Sequence, residues 1–251
     1  LRQATGHGSG LVFVYGSRAL GLDRVPSALT QMMASRGGED ASAASCASLP
    51  PECVSVRSII AYLDELMGRY AWGRHLVVVP ASQLSSTGEP LDEVLREVQA
   101  RLTKRRSQNR TVRLVVLFEP GDFLQWFGMS GMQELEGIAR AVIGLHRWDD
   151  VMIEQYLRWY GLFSPPKTVK QVAEATGRWP WLIECLYDRL SEQHDTLAHV
   201  DPSIEAARLR EDLVANGTLA QKFLDSTGLN LFSHAPRLLH QLKALEPLAV
   251  S

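Results

Sequence analysis

Two glycines, Gly16 and Gly21, stand five residues apart behind the apolar run Leu11 to Tyr15, LVFVY. The run predicts a buried strand, and glycines directly after it let the chain turn with positive φ and bring its backbone close to a ligand. The chemistry open to such a turn is phosphate binding. Its N–H groups can point inward at an anion, and a following helix adds the positive end of its dipole. Gly16, Ser17, Arg18, Gly21 and Asp23 are therefore candidate binding residues, joined by Glu119 behind a later strand and Arg178 in a later turn.

A loop of this kind ordinarily ends in glycine, lysine, then serine or threonine. The lysine neutralises the outer phosphates and the hydroxyl holds Mg²⁺. This one ends Gly21, Leu22, Asp23. Leu22 supplies no charge, and Asp23 repels phosphate unless a metal lies between them. Pro26 predicts a helix start near residue 26, too late for the amides of Gly21 to Asp23 to form its N-terminus. No residue is assigned a catalytic or metal-binding role. No cofactor is expected; ATP or GTP with Mg²⁺ is the disfavoured alternative.

The elements that must hold this loop follow from the pattern of apolar residues. The 251 residues are 45% hydrophobic and 22% charged with a formal charge of −2, enough for a sizeable core and without a basic field that would point to nucleic acid. Three cysteines without metal-ligand spacing (Cys46, Cys53, Cys185) predict reduced thiols and a cytoplasmic protein. No apolar run reaches the roughly 20 residues of a membrane span, so no membrane is expected. The start at Leu1 suggests a segment of a longer protein.

Strands are expected at Leu11 to Tyr15, Cys53 to Val56, His75 to Val79, Val112 to Phe118 and Ala141 to Leu145. Helices are expected between them at Pro26 to Arg36, Ser58 to Tyr70, Leu91 to Arg106 and around Met132 to Arg140, with Glu39 to Ser48 a loop and Ser82 to Glu89 a polar turn. The fold class is thus α/β, a parallel doubly wound sheet of about five strands. From Trp148 onward every periodic segment reads as helix, the last at Pro236 to Leu245. The domains are 1–146, the α/β core, and 147–251, a helical lid-like domain whose end is open to being the start of a further helical or winged-helix domain.

This layout, with LHRWDDVMIEQYL (Leu145 to Leu157) and ATGRWPWLIECL (Ala175 to Leu186), resembles the AAA+ and STAND branches of the P-loop NTPases over about residues 10–195. The first segment is similar to the exit from the last strand into the lid. The second is similar to the lid turn, where some relatives place an arginine near the γ-phosphate; Arg178 occupies that place. The family's Walker B acid ends the strand beside the first one. If that strand is His75 to Val79, Pro80, Ala81 and Ser82 follow and there is no acid. If it is Val112 to Phe118, Glu119 supplies one carboxylate where the family commonly has two. The resemblance implies an inherited fold with a degenerate site.

Other groupings have plainer explanations. Thr168 to Leu186 fits a helix-turn-helix, but its second helix offers Trp181, Leu182, Ile183, Glu184 and Tyr187 where base edges call for Arg, Lys, Asn or Gln. The basic cluster Arg101, Lys104, Arg105, Arg106, Arg110 and Arg113 suits a helix C-terminus. The seven histidines, His234 and His240 among them, show no zinc spacing. Glu119 and Asp122 read as a turn and helix cap, or as a carboxylate pair for acid–base work. Trp148, Tyr156, Trp159, Tyr160 and Phe163 make one aromatic-rich helix, suited to core packing or, where exposed, to a protein partner. The expected function is a non-catalytic NTPase-like module that binds a protein partner, or other domains of the same longer chain, within a bacterial-type regulatory or defence protein. A nucleotide-binding switch and a DNA-binding protein using residues 168–186 are the alternatives.

Overall fold

The computed structural model describes residues 9–35, 44–69, 73–104, 110–122, 138–198 and 200–228. The first strand, β1 (Gly10–Tyr15), lies inside a five-stranded sheet ordered β2-β3-β4-β1-β5, where β2 is Ala44–Ser48, β3 Gly73–Pro80, β4 Arg110–Phe118 and β5 Ala139–Gly144. Every pairing is parallel. Successive strand residues point to opposite faces, so the apolar run of β1 fills two cores at once. Leu11 and Phe13 join one core with Ile59, Leu63 and Met67 of α2 (Val56–Arg69) and Val94, Val98 and Leu102 of α4 (Leu91–Lys104). Val12 and Val14 join the other with Leu29 and Met33 of α1 (Val25–Ala34). Two one-turn 3₁₀ segments, Arg18–Leu20 and Leu22–Arg24, connect β1 to α1, and a short α3 (Ala81–Ser85) follows β3.

The β1–β5 pairing shifts register between Leu11 and Val12. Beside that shift, Gln99 of α4 accepts a hydrogen bond from the Leu11 N–H at 2.9 Å, so a backbone donor next to the irregularity stays paired.

Beyond β5 the described chain is helical: α5 (Asp150–Trp159), α6 (Pro166–Thr176), α7 (Pro180–Gln193), α8 (Ser203–Ala215) and α9 (Gly217–Thr227). Their starts are written in the sequence. Asp149 accepts from the Met152 N–H, Asn216 from those of Thr218 and Leu219, and Pro166 and Pro180 begin α6 and α7 where a missing N–H costs nothing. Ile153, Leu157, Val172, Ile183, Leu186 and Leu209 form their core. Arg189 of α7 reaches Glu205 and Asp212 of α8 at 3.5 and 2.7 Å, pairing the nearly buried Glu205 carboxylate.

Among the described residues the chain forms two compact units. One holds the chain up to Gly16 and from Leu22 to Leu145; the other holds Ser17–Gly21 and the chain from His146. Within the second unit the Arg18–Leu20 turn packs with α7 and α9.

Four expectations are corrected. Cys53 to Val56 is not a strand: Val56 opens α2, and the sheet's second strand is Ala44–Ser48, inside the expected loop. The strand end expected at Val56 accordingly lies at Ser48, before Leu49. The polar turn at Ser82 to Glu89 begins instead as α3. Residues 139 and 140, read as the end of a helix, open β5. The expected helix at Pro236 to Leu245, most of that at Met132 to Arg140, and Arg105, Arg106, His234 and His240 lie outside the described residues.

Candidate functional site

Gly16 ends β1. Its N–H donates to the Phe118 carbonyl of β4 at 3.2 Å, and the next strand closes over it through Leu145 N–H to Tyr15 O at 2.9 Å. A Cβ on Gly16 would stand 2.9 Å from Leu145 Cβ. The missing side chain at residue 16 thus makes room for Leu145. Gly21 is glycine for a different reason: at φ +84° it caps the first 3₁₀ turn, its N–H donating to Arg18 O at 2.9 Å, with open space where a Cβ would be. The Leu20 N–H donates to Ser17 O at 3.0 Å. Three N–H groups of the loop, those of Gly16, Leu20 and Gly21, are therefore spent on the protein's own carbonyls.

Leu22 stands where the loop's lysine would be. Its side chain is 3% exposed and packs in the core with Val14, Val25 and Leu29. Asp23, at the position of the Mg²⁺-binding hydroxyl, is exposed beside Arg24 at 3.9 Å. The helix dipole is also displaced, since α1 begins only at Val25 with Pro26 in its first turn. Ser17 is buried and makes no capping bond; Arg18 is exposed. These two belong to the helical unit, whereas Gly16, Leu22 and Asp23 belong to the sheet unit.

The strand order resolves the two Walker B alternatives. β4 pairs with β1, while β3 lies one strand further out, so Glu119 follows the neighbouring strand. Asp122 lies close by, where the chain turns helical at residues 120–122. Burial first, then the Glu119 carboxylate, push its carboxyl above the usual range.

In the helical unit Arg178 sits at φ +65°, directly after Gly177 at φ +58°. A side chain in this left-handed region costs about 1–2 kcal/mol. Its own bonds hold it there: the Arg178 N–H donates to Ala173 O at 3.1 Å, and its carbonyl accepts from Trp148 N–H at 2.9 Å. The guanidinium meets Asp150 Oδ1 at 2.7 Å. The anion that Arg178 meets is thus a carboxylate of the same unit. Next to it, the Arg147 guanidinium lies 4.5 Å over the Trp179 ring, and Trp179 and Trp181 both pack on Phe223. Asp150 and Arg147 were not among the sequence candidates. Arg-aromatic spacing leaves no periodic trace, and the acid is one of two adjacent aspartates, of which Asp149 caps the helix.

The second helix of the expected helix-turn-helix, α7, turns Asp188 and Glu192 outward. Among the described residues no group of three His, Cys, Asp or Glu side chains could hold a metal, and no helix is long and apolar enough to cross a membrane.

This parallel sheet, with its loop after β1 and its helical continuation, is the AAA+ form of the P-loop NTPase fold. The ORC2 protein of Aeropyrum pernix in its ADPNP-ADP complexes matches all of this chain and 82% of its own, with a TM-score of 0.53 at 12% identity. PCH-2 of C. elegans matches 82% of this chain and 62% of its own, with a TM-score of 0.51 at 12% identity. The likeness at such identity is one of fold. No protein-family model and no curated protein sequence matches the chain.

Proposed function

We propose that this chain is a non-catalytic NTPase-like module that works by binding a protein partner, within a cytoplasmic regulatory or defence protein. The observation that carries the reading is Leu22. A residue that should deliver a cation to phosphate is instead part of the hydrophobic core, and a lysine there would have to leave water. The occupied amides of Gly16, Leu20 and Gly21 point the same way, because a phosphate cradle needs such donors free. Glu119 without a lysine opposite it lacks the charge balance that phosphoryl transfer requires.

A nucleotide-binding switch is the second reading, favoured by the fold it shares with a protein seen with ADPNP and ADP. It would need Arg18, Asp23 or Arg178 to replace the missing lysine, and Arg178 already holds Asp150. DNA binding through residues 168–186 has less support, since the outward acids of α7 repel phosphates. Thermal unfolding with and without millimolar ATP or GTP and Mg²⁺ decides between the first two. A ligand at 100 times its dissociation constant adds about 2.7 kcal/mol of stability. The expected result is no shift; a clear Mg²⁺-dependent rise in Tm establishes the switch instead.

A further inference from the structure

One face of the helical unit is built like a binding surface. On α5, Met152, Tyr156 and Trp159 fall at i, i+4 and i+7 and so share a face. Met152 is 49% and Trp159 85% exposed, with Tyr160 behind them at 38%. Large apolar side chains left together in water mark interaction sites more often than chance exposure, and Trp and Tyr are the residues that most often dominate interface energetics. This face continues onto α7 through tilted ring contacts. Tyr156 lies 4.8 Å from Tyr160 between ring centroids, and Tyr160 lies 4.1 Å from Tyr187.

The face has a sign as well as an apolar character. Glu184, Asp188 and Glu192 follow one another at i, i+4 and i+8 on α7, next to Tyr187. Three nearby basic residues are already engaged: Arg158 with Glu154 at 2.5 Å, Arg178 with Asp150, and Arg189 with Glu205 and Asp212. Asp188 and Glu192 make no ion pair among the described residues. The field of Glu184 and Asp188 reaches the rings, where, after burial and the neighbouring Tyr160, it helps push the Tyr156 phenol up.

We infer that this aromatic and acidic face of α5 and α7 docks a basic amphipathic segment of a partner protein, leucine-like side chains on Met152 and Trp159 and arginines along Asp188 and Glu192. Arginine fits better than lysine, since its flat guanidinium stacks on aromatic faces while pairing with a carboxylate. This rests on the partner-binding reading above and names the kind of partner. Nucleotide binding plays no part in it, so the two can fail separately.

The test titrates the whole chain by calorimetry at physiological ionic strength with a synthetic amphipathic helix carrying leucines on one side and arginines on the other. A copy with glutamate for every arginine serves as control. The expected result is saturable one-to-one binding at about micromolar affinity, weakened roughly tenfold or more by W159A and by D188K/E192K, with no binding of the glutamate peptide. These are exposed positions, and circular dichroism of each variant confirms that it stays folded. Absence of saturation at millimolar peptide overturns the inference, as does binding that the variants leave unchanged. A concentration-dependent dimer in sedimentation that W159A abolishes also overturns it, giving the face to a second copy of the chain. An ATP·Mg²⁺ Tm shift alongside normal peptide binding would remove the dead-site reading and leave this surface in place.

Discussion

Gly16 and Gly21 are the pair that suggests a ligand, and each has a structural reason that needs none. The reasons differ, so the two substitutions should behave differently. In G16A the new methyl meets Leu145 at its Cβ, an atom that cannot swing away, and the cost is that of overpacking, about 1–3 kcal/mol. In G21A the methyl enters open space and the cost is the left-handed backbone alone, about 1–2 kcal/mol. Urea unfolding should rank G16A below G21A, and both below the parent. If Leu145 can shift to take the methyl, G16A will cost no more than G21A. The sequence showed the spacing of the glycines but not this distinction, because Leu145 arrives at residue 16 from 129 positions away. Leu22 was visible as a missing lysine. That it is a core residue was not, since a lone leucine between glycine and aspartate has no periodicity to report.

The elements that were legible are those with strong local pattern. β1, β3 and β4 are buried on both faces and read as continuous apolar runs; α2 and α4 carry apolar residues on one face only. β2 was not legible. It is an edge strand of the sheet, half-buried along its length, and its Ala, Ser and Cys side chains make no apolar run; pairing with β3 makes it a strand. Strand order was hidden as well, since local sequence says nothing about neighbours, and this is why Glu119 stayed one of two alternatives. At this scale the link between α4 and β1 is testable. Gln99→Leu keeps the shape of the side chain but leaves the buried Leu11 N–H without its acceptor. We expect a loss of about 1–3 kcal/mol, read from urea midpoints. A loss within error of zero would mean that water replaces the amide oxygen.

The shift from alternating strands and helices to helices alone suggests a boundary after residue 146, and the compact unit that holds the helices already includes His146. Its other piece, Ser17–Gly21, lies far away in sequence and carried no sign of belonging there. Residues 146–251 produced alone would lack the turn that packs with α7 and α9. That fragment should unfold at lower urea than the same helices in the whole chain, as followed by tryptophan fluorescence, and adding a Ser17–Gly21 peptide should not restore it, since the untethered peptide loses its freedom on binding. Equal midpoints would show that the turn is a passive guest. The arrangement also imposes an order in time. A growing chain emerges from its N-terminus at about 5–20 residues per second, so the turn is made and then waits while about 159 further residues, 180 less 21, are added before α7, the first of its helical neighbours, begins, roughly 8–32 s later. For that interval the five residues hang between β1 and α1 without their neighbours, and Ser17 and Ala19, buried in the finished protein, stand open to whatever a nascent chain meets.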